Sequence, residues 1–214
     1  MISIVKGREP SSLQHYRLQP NAEYDGSQFT PVKVDIRTQL LREQGYICAY
    51  CMQRIVDNQF ITKVEHWHCQ DNYPKEQLSY SNMLAVCSGN IQGCIHCDTK
   101  KTNYDIKYNP AESTHRIESK IKYSTNGKIE SIEADFDHQL NNILGLNCSR
   151  LVKNRKEIID AVREGLSKKT GTRTQSEINA LINYWSSIDG DGYKKPYYGI
   201  ALSFLRKRLS SCTT

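Results

Sequence analysis

Six of the chain's eight cysteines lie within fifty residues, and five of these six have spacings that suit metal binding. Cys48 and Cys51 form one Cys-x-x-C pair, Cys94 and Cys97 form another, and Cys87 lies between the pairs. Zinc takes four soft ligands in a tetrahedron, and clustered thiolates in a chain without a secretory signal are typical of a structural zinc site. We expect Cys48, Cys51 and Cys97 to be three ligands, with Cys87 or Cys94 as the fourth. The alternative is that all five are unmetallated core thiols.

A second set of residues lies between the cysteines along the chain and supplies carboxylate, amide and imidazole side chains. It comprises Glu65, His66, Asn82 and Asp98. The carboxylates of Glu65 and Asp98 are hard ligands suited to Mg2+ or Mn2+. His66, with an ordinary pKa of about 6.5, can accept a proton at neutral pH. Neighbouring residues on a strand point to opposite faces, so Glu65 and His66 can serve one site only where the strand ends or twists.

Together, the cysteines and this second set resemble the HNH, or ββα-metal, endonucleases that carry a structural zinc ion. In that family an acidic residue and a histidine end the first strand, an asparagine follows, and a metal ligand lies on the helix beside the last zinc cysteine. The resemblance implies that His66 is the general base and that Glu65 and Asp98 hold the catalytic Mg2+ or Mn2+. It also implies that Asn82 pins the connecting loop, and it favours Cys87 as the fourth zinc ligand.

A narrower resemblance concerns the order of motifs, which continues through residues 143–147 to Leu151 and Arg155. This order is similar to the nuclease subunit of Septu-type and retron-linked antiphage systems, over roughly residues 1–160. It implies an ABC- or SMC-like ATPase partner. Two features depart from the pattern: His68 stands where the family often has proline, and the segment before Cys97 has an additional Cys94 and His96.

Other interpretations of the same residues remain open. A zinc ribbon that binds nucleic acid or protein without catalysis would need the cysteines but not the Glu65, His66 and Asp98 set. A zinc nucleobase deaminase needs His-x-Glu followed by Pro-Cys-x-x-Cys, which this chain lacks. Lys100 and Lys101 are expected to contact phosphate, although a solvated helix face explains them nearly as well.

Positive charge is concentrated in the last third of the chain. The formal net charge is +6, of which residues 149–214 contribute +7 and residues 1–148 contribute −1. Such asymmetry indicates a polyanionic partner, DNA or RNA, or else a solvated helical surface. The other cysteines, Cys69, Cys148 and Cys212, stand alone and are expected to be ordinary thiols.

Length and composition indicate an ordered α+β protein. A chain of 214 residues with 38% hydrophobic residues can bury a core. The N-terminus lacks a long apolar segment, and the longest apolar stretch, residues 197–205, is too short for a bilayer, so we expect a cytoplasmic protein. We divide the chain into an N-terminal wrap and helix (1–45), a zinc-containing nuclease finger (46–104) and a hairpin with a basic helical region (105–214).

The elements that must position these residues follow from hydrophobic spacing and turn signals. Residues 1–31 are expected to be irregular, and residues 35–44 form a helix that buries Ile36, Leu40 and Leu41 and ends at Gly45. We predict a hairpin with alternating Ile117, Ile121 and Tyr123, a turn at Asn126-Gly127 and a return strand from Ile129. Three C-terminal helices follow. The first is capped by Ser149 and buries Leu151, Ile158, Val162 and Leu166. The second contains Ile178, Leu181, Ile182 and Trp185, and the third covers residues 200–209.

Overall fold

The computed structural model describes residues 1–91, 93–168 and 171–210, and it is an α+β fold, as predicted. The helices of these residues are Ser11–Arg17 (α1), Phe29–Gln44 (α2), Cys97–Lys101 (α3), Ile117–Lys120 (α4), Ala134–His138 (α5), Ser149–Ser167 (α6), Gln175–Ser186 (α7) and Tyr198–Ser210 (α8). The strands are Thr62–His66 (β1), Met83–Cys87 (β2), Asn90–Ile91 (β3), Cys94–Ile95 (β4), Lys122–Tyr123 (β5) and Ile129–Glu130 (β6). Short 3-10 turns cover Pro74–Glu76, Tyr80–Asn82 and Ser113–His115, and a π-helical turn covers Gln139–Ile143.

Three two-stranded antiparallel sheets form, and the β1–β2 pair is the one that carries the candidate site. Its register places Glu65 opposite Leu84 and His66 opposite Met83. Strand β2 is buried along its whole length, because α2 packs on the sheet and α3 contacts β2. The site is therefore built on a sheet that helices cover.

Helix α2 anchors this sheet to the rest of the protein. It buries Ile36, Leu40 and Leu41 and ends at Gly45, which has φ of +65°, so the predicted helix and its C-cap are confirmed. The helix begins earlier than predicted, at Phe29. The Gln44 side chain donates to the carbonyls of Ile47 and Ala85 and accepts from the Ala85 amide. One glutamine thus ties the end of α2 to the centre of β2.

The N-terminal segment is more ordered than its prolines suggest. The prediction that residues 1–31 are irregular is wrong at α1, a helix of seven residues that follows Pro10. Leu13 and Tyr16 are buried one turn apart and hold α1 against α2. A helix this short gives too little periodicity to be recognised between two prolines.

The hairpin is shorter than predicted. The Asn126-Gly127 turn is confirmed, since the Gly127 amide donates to Ser124 and β5 pairs with β6. Ile117, however, lies in α4 rather than on a strand. Ile117 and Ile121 are both buried and are four residues apart, a spacing that a helical turn satisfies as well as a strand.

The C-terminal region forms the three predicted helices. In α6, Leu151 and Val162 are buried as predicted, but the other buried residues are Arg155 and Ile159 rather than Ile158 and Leu166, and Cys148 rather than Ser149 is the N-cap. The Arg155 guanidinium donates to the carbonyls of Gly127 and Leu146 and to the Asn147 side chain. Helix α8 packs on α6 and α7, and its basic residues 206–208 are exposed.

Within the described ranges one large core joins most of these parts, and a smaller cluster of Val162, Ile178, Ala201 and Leu205 lies among α6, α7 and α8. The large core includes Leu13 of α1, Leu40 of α2, Leu84 of β2, Leu151 of α6 and Leu202 of α8. No helix among the described residues combines the length and the apolar character needed to cross a bilayer.

Candidate metal centre and active site

Four buried cysteines meet at the base of the β1–β2 sheet. Cys48 and Cys51 come from the loop after α2, Cys87 is the last residue of β2, and Cys97 is the first residue of α3. The sulfurs of Cys48 and Cys97 are 3.8 Å apart, those of Cys51 and Cys87 are 3.7 Å apart, and all four lie within 4.8 Å of one another. In a zinc tetrahedron with bonds of about 2.3 Å, neighbouring sulfurs are about 3.8 Å apart. The four sulfurs therefore have the spacing that zinc requires.

Cys94 does not belong to this group. It forms a disulfide bond with Cys148, the N-cap of α6. The structure thus places Cys87, not Cys94, beside the other three ligands, and the prediction that Cys148 is an ordinary thiol is corrected. Cys69 is a free, buried cysteine, and Cys212 lies outside the described residues.

Glu65 and Asp98 meet where β1 ends and α3 begins. Glu65 is buried, its Oε1 lies 2.7 Å from Lys101 Nζ, and it accepts a hydrogen bond from the Tyr50 hydroxyl at 3.4 Å. Burial raises the pKa of Glu65 to about 7; the Lys101 ammonium opposes the shift, and the neighbouring Asp98 carboxyl adds to it. Burial also raises the pKa of Asp98. Two adjacent carboxyl groups with raised pKa values form a place where a bound cation would be stabilising.

His66, the last residue of β1, is held as a neutral imidazole. Its Nε2 lies 2.9 Å from the Gln77 carbonyl oxygen, and because a carbonyl only accepts, Nε2 carries the ring proton and Nδ1 has the lone pair. Burial lowers the pKa of His66 to about 4, so the imidazole is uncharged at neutral pH. The Lys33 ammonium also lowers the pKa values of both His66 and Asp98.

Asn82 closes the loop that connects β1 to β2. Its side-chain oxygen accepts from the His68 amide at 2.8 Å, and its side-chain nitrogen donates to the His68 carbonyl at 2.9 Å. The Trp67 amide also donates to the Asn82 carbonyl. Asn82 thus bonds backbone just beyond His66, which is the role that the sequence predicts for it.

Lys101 needs a correction. Its side chain is 1% exposed, and its ammonium is bonded to Glu65 and to the His66 carbonyl, so it cannot contact phosphate as predicted. Lys100 is half-buried and lies beside Gly145. Lysine at position 101 instead neutralises Glu65 from within the core.

An open cleft of about 580 Å³ leads to Asp98. Its walls include Tyr24, Lys33 and Arg37 from the N-terminal segment and α2, and Lys63 from β1. The cations are the residues that sequence reasoning missed. Lys33 and Arg37 are four residues apart on α2, half-buried at the border of its buried face, and this spacing is a signal that could have found them.

Tyr24 is the other missed residue, since it belongs to a segment expected to be irregular. Its ring packs edge-on against His66, with 4.5 Å between the ring centroids. Burial raises the pKa of Tyr24, and the charges of Asp25, Glu65 and Asp98 add to this. The Tyr24 hydroxyl is buried, and no hydrogen-bond partner for it occurs among the described residues. A polar atom in this condition marks a place where a ligand or hydrated ion is expected.

No protein-family model matches the chain, and a search of the curated proteins gives no significant match. The functional conclusion therefore depends on the residues and their geometry.

Proposed function

We propose that the protein is a metal-dependent HNH endonuclease that hydrolyses phosphodiester bonds in DNA or RNA. The observation that carries the proposal is the contact of Glu65 with Asp98 where β1 ends and α3 begins, with Asp98 lining the cleft and His66 next to Glu65 in β1. The second strand and the short helix also contribute Cys87 and Cys97 to the four-cysteine group, which Cys48 and Cys51 complete from the loop after α2. In the resemblance to the HNH family, this is the arrangement of a ββα finger with a structural zinc ion.

The donor sets fit the two proposed metals. The buried thiol group of Cys48, Cys51, Cys87 and Cys97 suits zinc, which would stabilise a finger with little core of its own. Glu65 and Asp98 would hold Mg2+ or Mn2+, which when bound supplies positive charge to offset the charge that builds up on phosphate. The unpartnered Tyr24 hydroxyl beside these carboxyls supports a bound, hydrated group there.

In the proposed reaction His66 acts as the general base. Its Nδ1 accepts a proton from water, while the Nε2 contact with Gln77 fixes the ring. Asn82 acts as a positioning residue, because it orders the backbone that follows His66. The water oxygen bonds to phosphorus and the bond to the 3′ oxygen breaks, so the products carry 5′-phosphate and 3′-hydroxyl ends.

The cleft provides a path for the substrate strand. Lys33, Arg37 and Lys63 line it and can contact phosphate, although Lys33 also pairs with Asp25 and Arg37 with Asp57. The resemblance to the Septu-type and retron-linked nuclease subunits further implies that the protein acts in antiphage defence with an ABC- or SMC-like ATPase.

The proposal is tested by His66→Ala, assayed with the ATPase complex if one is encoded beside it. Loss of a general base costs about 10²–10⁴-fold in rate, so we expect cleavage to fall by this factor with zinc content, folding and nucleic-acid binding unchanged. His15→Ala, at an exposed histidine of α1, is the matched control and should cleave normally. Full activity of His66→Ala in a preparation free of contaminating nuclease would overturn the assignment.

A non-catalytic zinc-ribbon module is the second candidate, and one observation favours it. Lys101 already neutralises Glu65, and the Tyr24 ring packs over His66, so both groups are occupied within the chain. Calorimetry with Mn2+ separates the two functions. A nuclease should bind Mn2+ in a way that Asp98→Asn abolishes, whereas a binding module should retain nucleic-acid affinity and show no such Mn2+ site.

A further inference from the structure

We propose that Cys94, His96 and Cys148 form a second zinc site, which binds the ion when the disulfide bond between Cys94 and Cys148 is reduced. The two sulfurs and one ring nitrogen lie within 4.8 Å of one another. Two thiolates and one imidazole are a ligand set that zinc accepts, with a fourth position left for water. This site is separate from the Cys48, Cys51, Cys87 and Cys97 group, and it does not depend on the proposed nuclease activity.

The His96 ring lies between Cys94 and Cys87. It is fully buried, with Nε2 3.6 Å from Cys87 Sγ and Nδ1 3.5 Å from Cys94 Sγ and 2.9 Å from the Cys94 carbonyl oxygen. Because a carbonyl only accepts, Nδ1 carries the ring proton while the disulfide is intact, and Zn2+ binds Nδ1 only when this proton is lost and Nε2, which faces Cys87, takes one up. The nitrogen and sulfur ligands of tetrahedral zinc are about 3.5 Å apart, given bonds of about 2.0–2.1 and 2.3 Å. The His96–Cys94 separation already has this value.

Backbone contacts hold Cys148 next to this ring. The Cys97 amide donates to the Leu144 carbonyl at 2.9 Å, and the Cys148 amide donates to the Gly145 carbonyl at 3.2 Å. Gly145 has φ of +61°, and a Cβ atom there would come within 2.6 Å of the Ile95 carbonyl oxygen. Glycine therefore permits the loop before α6 to lie directly on the segment that carries His96. The ligands come from two segments that are already fixed against each other.

The site is open to reductant and to ions from solvent. A cleft of about 570 Å³ is lined by Gly93, Cys94, Cys148, Arg150 and Lys153. Cys148 is the N-cap of α6 and is half-buried, and the N-terminal end of a helix favours negative charge.

The change of state balances with one dithiol reductant. The reductant gives two electrons and two protons, its own sulfurs join as a disulfide, and Cys94 and Cys148 become thiols. Each thiol then releases its proton to solvent as its sulfur bonds to Zn2+. The same two sulfurs thus bind either each other or the metal, according to the redox state.

The test is the zinc content of the full-length chain in two preparations. One is kept oxidised; the other is treated with a dithiol, which is removed by anaerobic desalting. Both are equilibrated with the same ZnCl2 solution, desalted and measured by plasma mass spectrometry. We expect one additional zinc per chain in the reduced sample. Replacing Zn2+ with Co2+ should add an absorption band that differs from the band of the four-cysteine group.

Variants identify the ligands. Cys148→Ser and His96→Gln should lose the additional zinc and keep the rest, whereas Cys69→Ser, which removes a different buried thiol, should keep both. Equal zinc in the two wild-type samples, with reduction verified by thiol alkylation, would overturn the proposal. So would an increment that persists in Cys148→Ser. If a variant fails to fold, the wild-type comparison alone decides, because the increment is measured on one protein in two redox states.

Discussion

The buried ion pair between Lys101 and Glu65 yields a quantitative prediction. Lys101 Nζ and Glu65 Oε1 are 2.7 Å apart, and the side chains are 1% and 9% exposed. Two unit charges at this distance attract by about 6 kcal/mol at an effective dielectric constant of 20, and taking each ion from water costs several kcal/mol. The pair is close to balanced in total, but either partner alone would be a buried, uncompensated charge.

We therefore expect Lys101→Met to lower the free energy of unfolding by about 3–5 kcal/mol at pH 8.5, and Glu65→Gln by a similar amount. The double variant has no buried charge at this site. Its loss in the free energy of unfolding should be about 3 kcal/mol smaller than the sum of the losses of the two single variants. Lys156→Met is the matched control: Lys156 pairs with Asp160 on the exposed face of α6, so it should cost less than about 1 kcal/mol.

The loss in Lys101→Met should also depend on pH. Burial raises the pKa of Glu65 from 4.5 in the unfolded chain to about 7 in the folded protein. The contribution of Glu65 to stability is therefore fully present below pH 4.5 and is lost as the pH rises through 7. Without the Lys101 ammonium the folded pKa rises further, so the variant should be destabilised more at pH 8.5 than at pH 5.

Urea unfolding followed by circular dichroism, in magnesium-free buffer at both pH values, measures these quantities. Two results together would refute the reasoning: equal destabilisation by Lys101→Met at pH 5 and pH 8.5, and a double variant whose loss is the sum of the single losses. The two charges would then be independent in energy despite their contact.

Three further predictions concern single side chains. Burial lowers the pKa of Lys6 from 10.5 to about 8, so between these pH values the unfolded chain holds a proton that the folded chain has lost. In this range the free energy of unfolding, measured with urea, should rise by about 1.4 kcal/mol per pH unit, and Lys6→Met should flatten this slope. Asn82→Ala removes both hydrogen bonds to the His68 backbone and should cost about 2–3 kcal/mol in the same assay; no loss would mean that water replaces the amide. Thr174→Ala breaks the capping box with Glu177 and should lower the stability by about 1 kcal/mol, whereas an unchanged midpoint would show that packing alone fixes the start of α7.

The parts of the site that the sequence could predict are those fixed by spacing along the chain. Cys48 and Cys51 lie together as their Cys-x-x-Cys spacing predicts, whereas the same spacing at Cys94 and Cys97 does not bring Cys94 into the group, and only the resemblance favoured Cys87. Asn82 was predictable in its role for the same reason, because its partners belong to the loop that it closes.

The parts that could not be predicted depend on contacts between distant segments. Tyr24 reaches His66 across the fold, and no local pattern marks it. The two adjacent lysines at 100 and 101 suggest a solvated helix face. Lys101 is buried instead because it pairs with Glu65, which lies 36 positions before it. Cys148 meets Cys94 across 54 residues, because the loop before α6 lies on the segment before α3. Local propensity carries no information on such pairings.

Arg155 has a consequence for how the C-terminal half opens. Its guanidinium is 2% exposed and bonds the carbonyls of Gly127 and Leu146 together with the Asn147 side chain, so the hairpin turn, the loop and α6 are joined through one group. None of the three can separate from the others without leaving a buried positive charge in place of these acceptors. Amide hydrogen exchange should therefore show residues 122–130, 144–147 and the first half of α6 exchanging as one cooperative unit, with a common free energy of opening. Arg155→Lys keeps the positive charge but loses the planar guanidinium that bonds three acceptors at once. In this variant the three segments should exchange independently.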